Sequence, residues 1–258
     1  MSAAVTTPAG RMAALARAEL VLLARSRSAL VAGVLLPLVL PFSVRSATAR
    51  MNLEDAGLTI GLVILPSAIG FSLLFAVYST LVSVFVARRE QLVLKRLRTG
   101  ELRDTEILAG AALPAVATGL VQCLLLTGAC TALLHVPAPR APHLAVAGLL
   151  LGLLLSVLLA AVTAGFTRTT ESAQVTSFPL LLVSMVGSGL TVPLELLPER
   201  LARCCELLPL TPVVTLVRGG WTGDLSAYGT LRAVAVALAW IAVAVFAVRR
   251  RFRWEPRR

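Results

Sequence analysis

The residue types that carry out most protein chemistry are sparse in this sequence, and their spacing fits few reactions. The single lysine, Lys95, lies in the stretch VLKRL and lacks the flanking Gly and Ser or Thr of a phosphate-binding Walker loop. The acidic residues fall in polar stretches, without the carboxylate pair or the histidine beside an acid that a membrane enzyme would use for acid-base catalysis. We therefore expect a chain that is not an enzyme, with no catalytic residue and no cofactor of its own.

The cysteines do not form a recognisable disulfide or metal pattern. Cys123 and Cys130 lie seven residues apart in an apolar run, which separates them by about 10 Å along a helix at ~1.5 Å per residue, too far for a disulfide. Cys204 and Cys205 are adjacent in a polar stretch, and neither histidine is near enough in sequence for a zinc spacing. The sequence predicts buried thiols at Cys123 and Cys130, accessible thiols at Cys204 and Cys205, and no metal site.

The charged residues are gathered in short blocks between apolar runs. One block, residues 88–108 (RREQLVLKRLRTGELRDTEIL), holds six basic and four acidic residues. The chain is 57% hydrophobic and 14% charged, whereas a soluble domain is about 45 to 50% apolar and about 25% charged. Because the net charge of +11 is not collected on one solvated face, we expect an integral membrane protein and no nucleic-acid partner.

Six apolar runs approach or exceed the length that crosses a bilayer, which is about 17 to 25 residues. The predicted spans are residues 28–44, 57–87, 107–134, 144–166, 175–194 and 229–248. A charged loop at 88–106 and a more polar region at 195–227 separate some of them. We therefore predict an all-α integral membrane fold with six transmembrane helices, forming a single domain over residues 1–258.

The distribution of arginine predicts how these spans are oriented. Of the 24 Lys and Arg residues, 17 lie in the N-terminal lead, the second and fourth loops and the C-terminal tail, and 7 lie on the opposite side. By the positive-inside rule, this asymmetry places both termini and the 88–106 loop in the cytoplasm.

The 88–106 loop has an imperfectly amphipathic pattern. On a helical wheel, Val93, Leu94 and Leu97 fall on one side and most basic residues on the other. Two interpretations fit: an interfacial helix that holds the topology against anionic membrane lipid, and a docking surface for a cytosolic partner. Asp104 follows as the predicted N-cap of the third span.

This loop also resembles that of a known family. ARREQLVLKRLRTGELRDTEILAGAALP is similar to the loop between the second and third spans in the type-two permeases of ATP-binding-cassette (ABC) exporters. The matching residues are Arg89, Glu90, Leu94, Arg96, Leu97, Thr99, Glu106, Ile107, Leu108 and Gly110. The chain departs from the family at Gly100-Glu101 and at Ala111, where many members have Pro after the Thr and Lys after the Gly.

Two other stretches are similar to the same family. SGLTVPLELLPERLARCCELLPLTPVVTLVRGG, residues 188–220, resembles its outer segment between spans five and six, with Gly189, Pro193, Pro198, Pro209, Pro212 and Arg218 in matching places. From Pro198 the apolar spacing itself predicts a short outer amphipathic helix that ends near Pro209. The lead at 11–27 predicts an N-terminal interfacial helix, which the family also has.

The resemblance implies a function and a set of residues. In the family the loop is a coupling helix that fits a groove on a cytosolic ATP-binding subunit. The matching residues and the apolar stripe assign this contact to Arg89, Glu90, Val93, Leu94, Arg96 and Leu97. The chain would be a permease subunit that dimerises in the bacterial plasma membrane and exports an amphipathic compound (a drug, lipid or glycan), with a role such as drug resistance. Its partner subunit would bind the ATP and Mg.

Only mild polar residues occur inside the predicted spans. Ser79, Ser83, Gln122, Ser184 and Ser188 are candidates for the substrate pathway, although such side chains in lipid usually hydrogen-bond between helices. An ATP-independent carrier or channel is the alternative function. An ion-coupled carrier would normally place Asp, Glu, His or Lys at membrane depth. None of the six runs contains one, which favours energy supplied by a separate ATPase.

Overall fold

The structure, a computed structural model, describes residues 59–94 and 103–252. These residues form helices and connecting segments, with no β-strand among them. The helices are α1 (Ile60–Glu90), α2 (Asp104–Leu134), α3 (Pro142–Phe166), α4 (Ser172–Gly187), α5 (Glu199–Cys205), α6 (Thr211–Thr222) and α7 (Ala227–Arg251), with a 3₁₀ turn at Leu194–Leu196. The all-α prediction is confirmed for this part of the chain, whereas the predicted span at 28–44 and the predicted interfacial helix at 11–27 lie outside it.

The long helices run alternately between two ends of a bundle. We call one end of the bundle the Arg89 end, because Arg89 contacts the segment 167–171 there. At this end α1 and α3 finish, and α2 and α4 begin. α2 and α4 end, and α3 and α7 begin, at the opposite end, which also holds α5 and α6 and which we call the Arg218 end. There the Ala141 N–H donates to the Gly220 carbonyl at 2.9 Å, joining α3 to α6.

Four helices are long and apolar enough to cross a membrane, by length and composition: Ile60–Glu90, Asp104–Leu134, Pro142–Phe166 and Ala227–Arg250. α4 is a shorter apolar helix of 16 residues, and it ends at Gly187 although the apolar run continues to Leu194. The break falls at Gly189, whose φ of +75° is a left-handed conformation that ends a helix. The described residues therefore contain four helices of spanning length, and the count of six stays a prediction.

α2 begins slightly before the predicted span. Asp104, the predicted N-cap, is its first helical residue, and Arg103 is the N-cap. The Arg103 N–H donates to the Glu106 carboxylate at 2.9 Å, which is one of the two bonds of a capping box. The N-cap prediction is wrong by one residue because Glu106 supplies its acceptor to the residue three positions earlier. Asp104 and Glu106 also place negative charge at the positive end of the helix dipole.

α6 packs between α3 and α1, although the sequence pattern placed residues 195–227 outside the spans. Val213, Leu216 and Val217 are at most 1% exposed. The approach to α3 is close, because a Cβ added to Gly220 would lie 2.6 Å from the Ala145 nitrogen and 2.9 Å from its Cα. Small residues allow helix backbones to approach in this way. A short helix, α5, follows Pro198, which is its N-cap, and it ends at Cys205, before the predicted end near Pro209. The outer position of this helix stays a prediction.

α1 is not uniformly α-helical. Its α-helical ends flank a π-helical stretch, Leu73–Ser79. The Thr80 hydroxyl donates to the Phe75 carbonyl, five residues earlier, at 3.0 Å. The Tyr78 hydroxyl lies 3.1 Å from the Thr163 hydroxyl of α3, so the wide turn is held against a neighbouring helix. Turns of this type are rare inside helices and are frequent at functional sites.

The close packing of α6 on α3 predicts a difference between two glycine substitutions. Gly220→Ala should lower the thermal unfolding midpoint of the detergent-solubilised protein, because overpacking a tight contact costs about 1 to 3 kcal/mol. Gly128→Ala is the matched control, since it lies inside a helix and a Cβ added there meets nothing within 4 Å. Equal midpoints for the two variants would contradict the packing described here.

Candidate functional site

Arg89, in the last turn of α1, is turned into the protein and is 1% exposed. Its Nη1 donates to the Ala164 carbonyl at 2.8 Å, and its Nη2 donates to the carbonyls of Thr167 at 2.5 Å and Arg168 at 3.3 Å. Ala164 lies in the last turn of α3, and Thr167 and Arg168 directly follow it, where the helix itself has no further N–H groups to satisfy these carbonyls. Arg89 therefore caps α3 from a different helix, with its positive charge at the negative end of the helix dipole.

Glu90, the next residue, contacts the segment that leads into α4. Its carboxylate accepts the Thr170 N–H at 3.2 Å and also accepts the Thr170 hydroxyl. Two residues later α4 begins, where Ser172 and Thr169 exchange hydrogen bonds between backbone N–H and side-chain oxygen at 3.0 and 3.2 Å. A carboxylate beside the first turn of a helix is favoured by the positive end of its dipole. The positive charge of Arg89 thus lies at the negative end of α3, and the negative charge of Glu90 lies near the positive end of α4.

The connection between these two helices, residues 167–171, is called here the α3–α4 turn. It is held from α1 at two points, by Arg89 at its start and by Glu90 at Thr170. The end of α7 reaches the same region, because the Phe252 ring packs edge-on against Phe85 of α1 with 6.3 Å between ring centroids. The last turns of α1 therefore contact α3, α4 and the residue after α7.

α1 ends in a sharp turn two residues after Glu90. Leu92 has a φ of 58°, a conformation that residues other than glycine rarely adopt. Its N–H donates to the Arg89 carbonyl at 3.0 Å, which fixes the turn. Val93 is half-buried and Leu94 is 1% exposed, so the chain stays against the bundle after the turn.

The predicted coupling residues fall into different environments. Arg89 and Leu94 make their contacts inside the chain, Val93 is half-buried, and the exposed Glu90 is bonded to the α3–α4 turn. Arg96 and Leu97 lie outside the described residues. The helical wheel placed Arg89 on the charged face because a wheel takes account only of sequence spacing, whereas its carbonyl partners are 75 to 79 positions away. Contact with an ATPase stays a prediction.

The predicted substrate-pathway residues are not gathered at one site: they are Ser79, Ser83, Gln122, Ser184 and Ser188. The Ser83 hydroxyl donates to the Ser79 carbonyl of its own helix at 3.3 Å. Gln122 is 3% exposed, and its side-chain oxygen accepts the Ser72 hydroxyl of α1 at 3.4 Å. Ser184 and Ser188 are fully buried, and neither hydroxyl has a hydrogen-bond partner among the described residues. Gln122 thus has the bond between helices that is expected of helix packing, whereas Ser83 is bonded within α1.

An open pocket of about 260 Å³ lies at the Arg218 end, and we call it the Arg218 pocket. Its polar lining residues are Ser188, Thr215, Arg218, Thr222 and Asp224, and its wall also includes Gly189, Leu194 and Val214. The pocket places a guanidinium, a carboxylate and several hydroxyls beside apolar side chains. Such a lining suits the polar part of an amphipathic molecule. Ser188 is the predicted pathway residue that lines it.

A second open pocket, of about 180 Å³, adjoins the first and shares Thr215 and Leu225 with it. At its rim Arg232 of α7 forms an ion pair with Glu206. Nearby, the Trp240 indole N–H donates to the Leu207 carbonyl at 2.8 Å. The connection between α5 and α6 is therefore attached to α7 by one ion pair and one hydrogen bond.

All four cysteines are free thiols, and only Cys204 is exposed: Cys123, Cys130 and Cys205 are buried. The prediction of an accessible Cys205 is wrong, because this residue packs against the end of α4. A Cβ added to Gly187 would lie 3.5 Å from the Cys205 Sγ, and the Cys205 carbonyl accepts the Thr211 hydroxyl at 2.6 Å. Within residues 59–94 and 103–252, no group of three or more His, Cys, Asp or Glu side chains could hold a metal ion.

The sequence matches the family model of the ABC-2 type transporter over residues 11–221. The chain belongs to the ABC-2 type transporter family. No curated protein is significantly similar to it in sequence. With four helices of spanning length, this ABC-2 protein is a multi-pass membrane protein and a permease component of an ABC transporter. The predicted family is thereby confirmed.

The sequence of this ABC-2 protein contained one signal for the contact of Glu90, and the prediction did not use it. A glutamate in the last turn of a helix lies at the negative end of that helix's own dipole, which is unfavourable. Glu90 occupies such a position at the end of a predicted span. Its placement indicates a favourable partner outside α1, and the structure identifies that partner as Thr170. The sequence alone does not say which loop supplies it.

Thiol labelling checks the arrangement at the Arg218 end of this ABC-2 protein. A maleimide added to the detergent-solubilised protein should react rapidly with Cys204 and far more slowly with the buried thiols, because burial limits access to the sulfur. Cys204→Ser should remove nearly all rapid labelling, and Cys205→Ser should remove almost none. Rapid labelling that persists in Cys204→Ser would contradict the burial of Cys205.

Proposed function

We propose that this protein is the permease subunit of an ABC exporter that is driven by ATP hydrolysed on a separate cytosolic subunit. Its family supports the permease role. Because the predicted spans contain no Asp, Glu, His or Lys, an external energy source is favoured over coupling to an ion. ATP and Mg would be bound by the partner subunit. The exported compound would be amphipathic, such as a drug, lipid or glycan.

The observation that carries this proposal is the junction at the Arg89 end. The segment that resembles a coupling helix leaves α1 through the turn at Leu92, directly after the two residues that hold the α3–α4 turn. A displacement of this segment would therefore reach α1, α3 and α4 together. A permease that receives force from an ATPase through residues 88–106 requires such a connection.

Transport would proceed by alternation between two states of a pair of permeases. Closure of two ATP-binding subunits would push the two coupling segments towards each other and rock the permeases between inward-open and outward-open states. The Arg218 pocket, which combines charged and apolar side chains, would contact the exported compound near its exit. The exported compound would belong to the broad class of amphipathic molecules.

The exposed side chains support a lipid environment and a second copy of the chain. α2 exposes Leu124 and Leu125, and α7 exposes Val243 and Phe246. Apolar surface of this extent on a single chain is unfavourable in water and is typical of contact with lipid or with another protein. We assign these faces to bilayer lipid and to the second permease.

The Arg89 end would face the cytoplasm, with both termini on the same side of a bacterial plasma membrane. Support comes from the 17 of 24 Lys and Arg residues that fall on that side of the predicted topology. The Arg218 end and its pocket would then face outwards.

A substitution in the coupling segment tests the proposed function, although Leu97 lies outside the described residues. Leu97→Asp should release the ATP-binding subunit, because a carboxylate buried without a partner in an apolar groove costs several kcal/mol. Leu97→Met is the matched control, since it preserves apolar character and approximate volume. The measurement is the amount of ATPase that copurifies with the tagged permease from its own host, at matched membrane levels.

Insertion into the membrane should be unaffected in both Leu97 variants. Full retention of the ATPase by Leu97→Asp would contradict the coupling contact and favour an interfacial anchor. Substituting Arg88, Lys95 and Arg96 together would then loosen the topology, because each basic residue near an anionic surface contributes about 1 kcal/mol.

Reporter fusions test the proposed orientation. A reporter that is active only in the cytoplasm should be active when fused after Arg258 and inactive when inserted at Arg140, because the positive-inside asymmetry places these residues on opposite sides. A silent fusion at Arg258, in protein that is present in the membrane, would contradict cytoplasmic termini.

A further inference from the structure

Arg89 and Glu90 hold one connection from two adjacent positions, each with the charge that its helix end favours. We propose that they form a transmission clamp, in which residues 89–90 and the α3–α4 turn move as one body. A nucleotide-driven movement of the segment after α1 would then reach α3 and α4 directly. The inference rests on the proposed ATP-driven function. It assigns Arg89 and Glu90 as positioning residues that act through contacts within the permease.

The burial of Arg89 makes its contact hard to break. The side chain is 1% exposed and donates three hydrogen bonds to backbone carbonyls. Breaking these hydrogen bonds is costly, because a buried charged group would lose three acceptors and the carbonyls would lose their donor. The two sides therefore remain together while neighbouring parts of the protein move.

Glu90 supplies a second point of attachment. Arg89 contacts the carbonyls of residues 164, 167 and 168, whereas Glu90 contacts Thr170 on the α4 side of the turn. Arg89 alone holds only the start of the turn, and Glu90 extends the attachment to its α4 side. The favourable dipole interaction at the start of α4 also offsets the unfavourable position of Glu90 at the end of α1.

The connection between the clamp and the coupling segment is short and has a defined conformation. Leu92, with its left-handed φ of 58°, donates its N–H to the carbonyl of Arg89 itself. Leu94, two residues later, is again buried. The chain between Arg89 and Leu94 therefore has little freedom to change its length or direction. A displacement of the residues that follow Leu94 would be passed to Arg89.

Arg88 provides an internal control for the test. It carries the same charge on the preceding residue, and its Nη1 donates to the Gln91 side chain at 3.0 Å, within the same end of α1. Arg88→Gln therefore removes a charge without affecting the three carbonyls at the end of α3. Effects of charge on topology or on lipid binding should appear in both Arg88→Gln and Arg89→Gln. Effects of the clamp should appear in Arg89→Gln alone.

The test is hydrogen exchange of the permease in complex with its copurified ATPase, without nucleotide and after trapping with ATP and vanadate. In the wild type, nucleotide should change the exchange rates of residues 167–187, which cover the turn and α4. In Arg89→Gln, the ATPase should still copurify, but the nucleotide-dependent change should disappear. Its basal exchange near the turn should rise about tenfold or more, because hydrogen bonds from a charged donor are lost. Arg88→Gln should behave as the wild type.

A covalent rescue separates transmission from simple structural support. In an Arg89→Gln, Cys204→Ser background, a Glu90→Cys and Thr170→Cys pair is joined by a short bifunctional thiol reagent. Linking the two positions should restore the nucleotide-dependent change in α4. Unlinked protein of the same sequence is the control. A residue that only supported folding would not be replaced by a link between its neighbour and Thr170.

Two results would overturn the clamp: a nucleotide response in Arg89→Gln equal to that of the wild type, or a wild-type complex whose α4 does not respond. If Arg89→Gln does not accumulate, the Glu90→Cys and Thr170→Cys pair is made with Arg89 intact. The crosslinking yield of this pair with and without nucleotide then tests the clamp. Equal yields with and without nucleotide support movement as one body, and a several-fold fall contradicts it. Failure of the proposed function is recognised separately, because no ATPase would then copurify with the wild-type permease.

Discussion

The carbonyls at the end of α3 need hydrogen-bond donors that their own helix cannot supply, and Arg89 provides them from α1. Away from water an unsatisfied backbone carbonyl costs several kcal/mol. The contact therefore determines where α3 can stop and where the chain can turn into α4. This one side chain holds the end of α3 against α1, and Glu90 adds the attachment to the α4 side of the turn.

The opposite end of the bundle is held by different forces. There, α6 packs against α3 through the close approach of Gly220 to Ala145, which relies on the lack of a side chain. The connection before α6 is attached to α7 by the partly exposed pair of Arg232 and Glu206, and exposed ion pairs contribute only about 0 to 1 kcal/mol. The connections at the Arg218 end should therefore separate more easily than the buried contact of Arg89. The two pockets lie beside these weaker attachments.

Hydropathy predicted the helices that are apolar along their whole length. It did not predict helix ends set by backbone conformation, or the burial of a charged side chain that has distant partners. α2, α3 and α7 overlap the predicted runs because each is apolar over a whole span. α4 stops at Gly187 because Gly189 takes a left-handed conformation, which an apolar run does not reveal. The burial of Arg89 could not be predicted, because its acceptors lie 75 to 79 positions further along the chain. The family resemblance identified the loop, but not the direction in which each side chain points.

The stretch that resembles a coupling helix therefore combines several physical tasks. At its start, Arg89 and Glu90 hold the α3–α4 turn, and at its end Glu106 accepts the Arg103 N–H to begin α2. Both flanks of the segment are thus hydrogen-bonded to helix ends. In the proposed transporter, a docking segment fixed at both ends would pass a push into the bundle instead of bending away from it. Arg89, which matches the family motif, accordingly makes its hydrogen bonds within the permease itself.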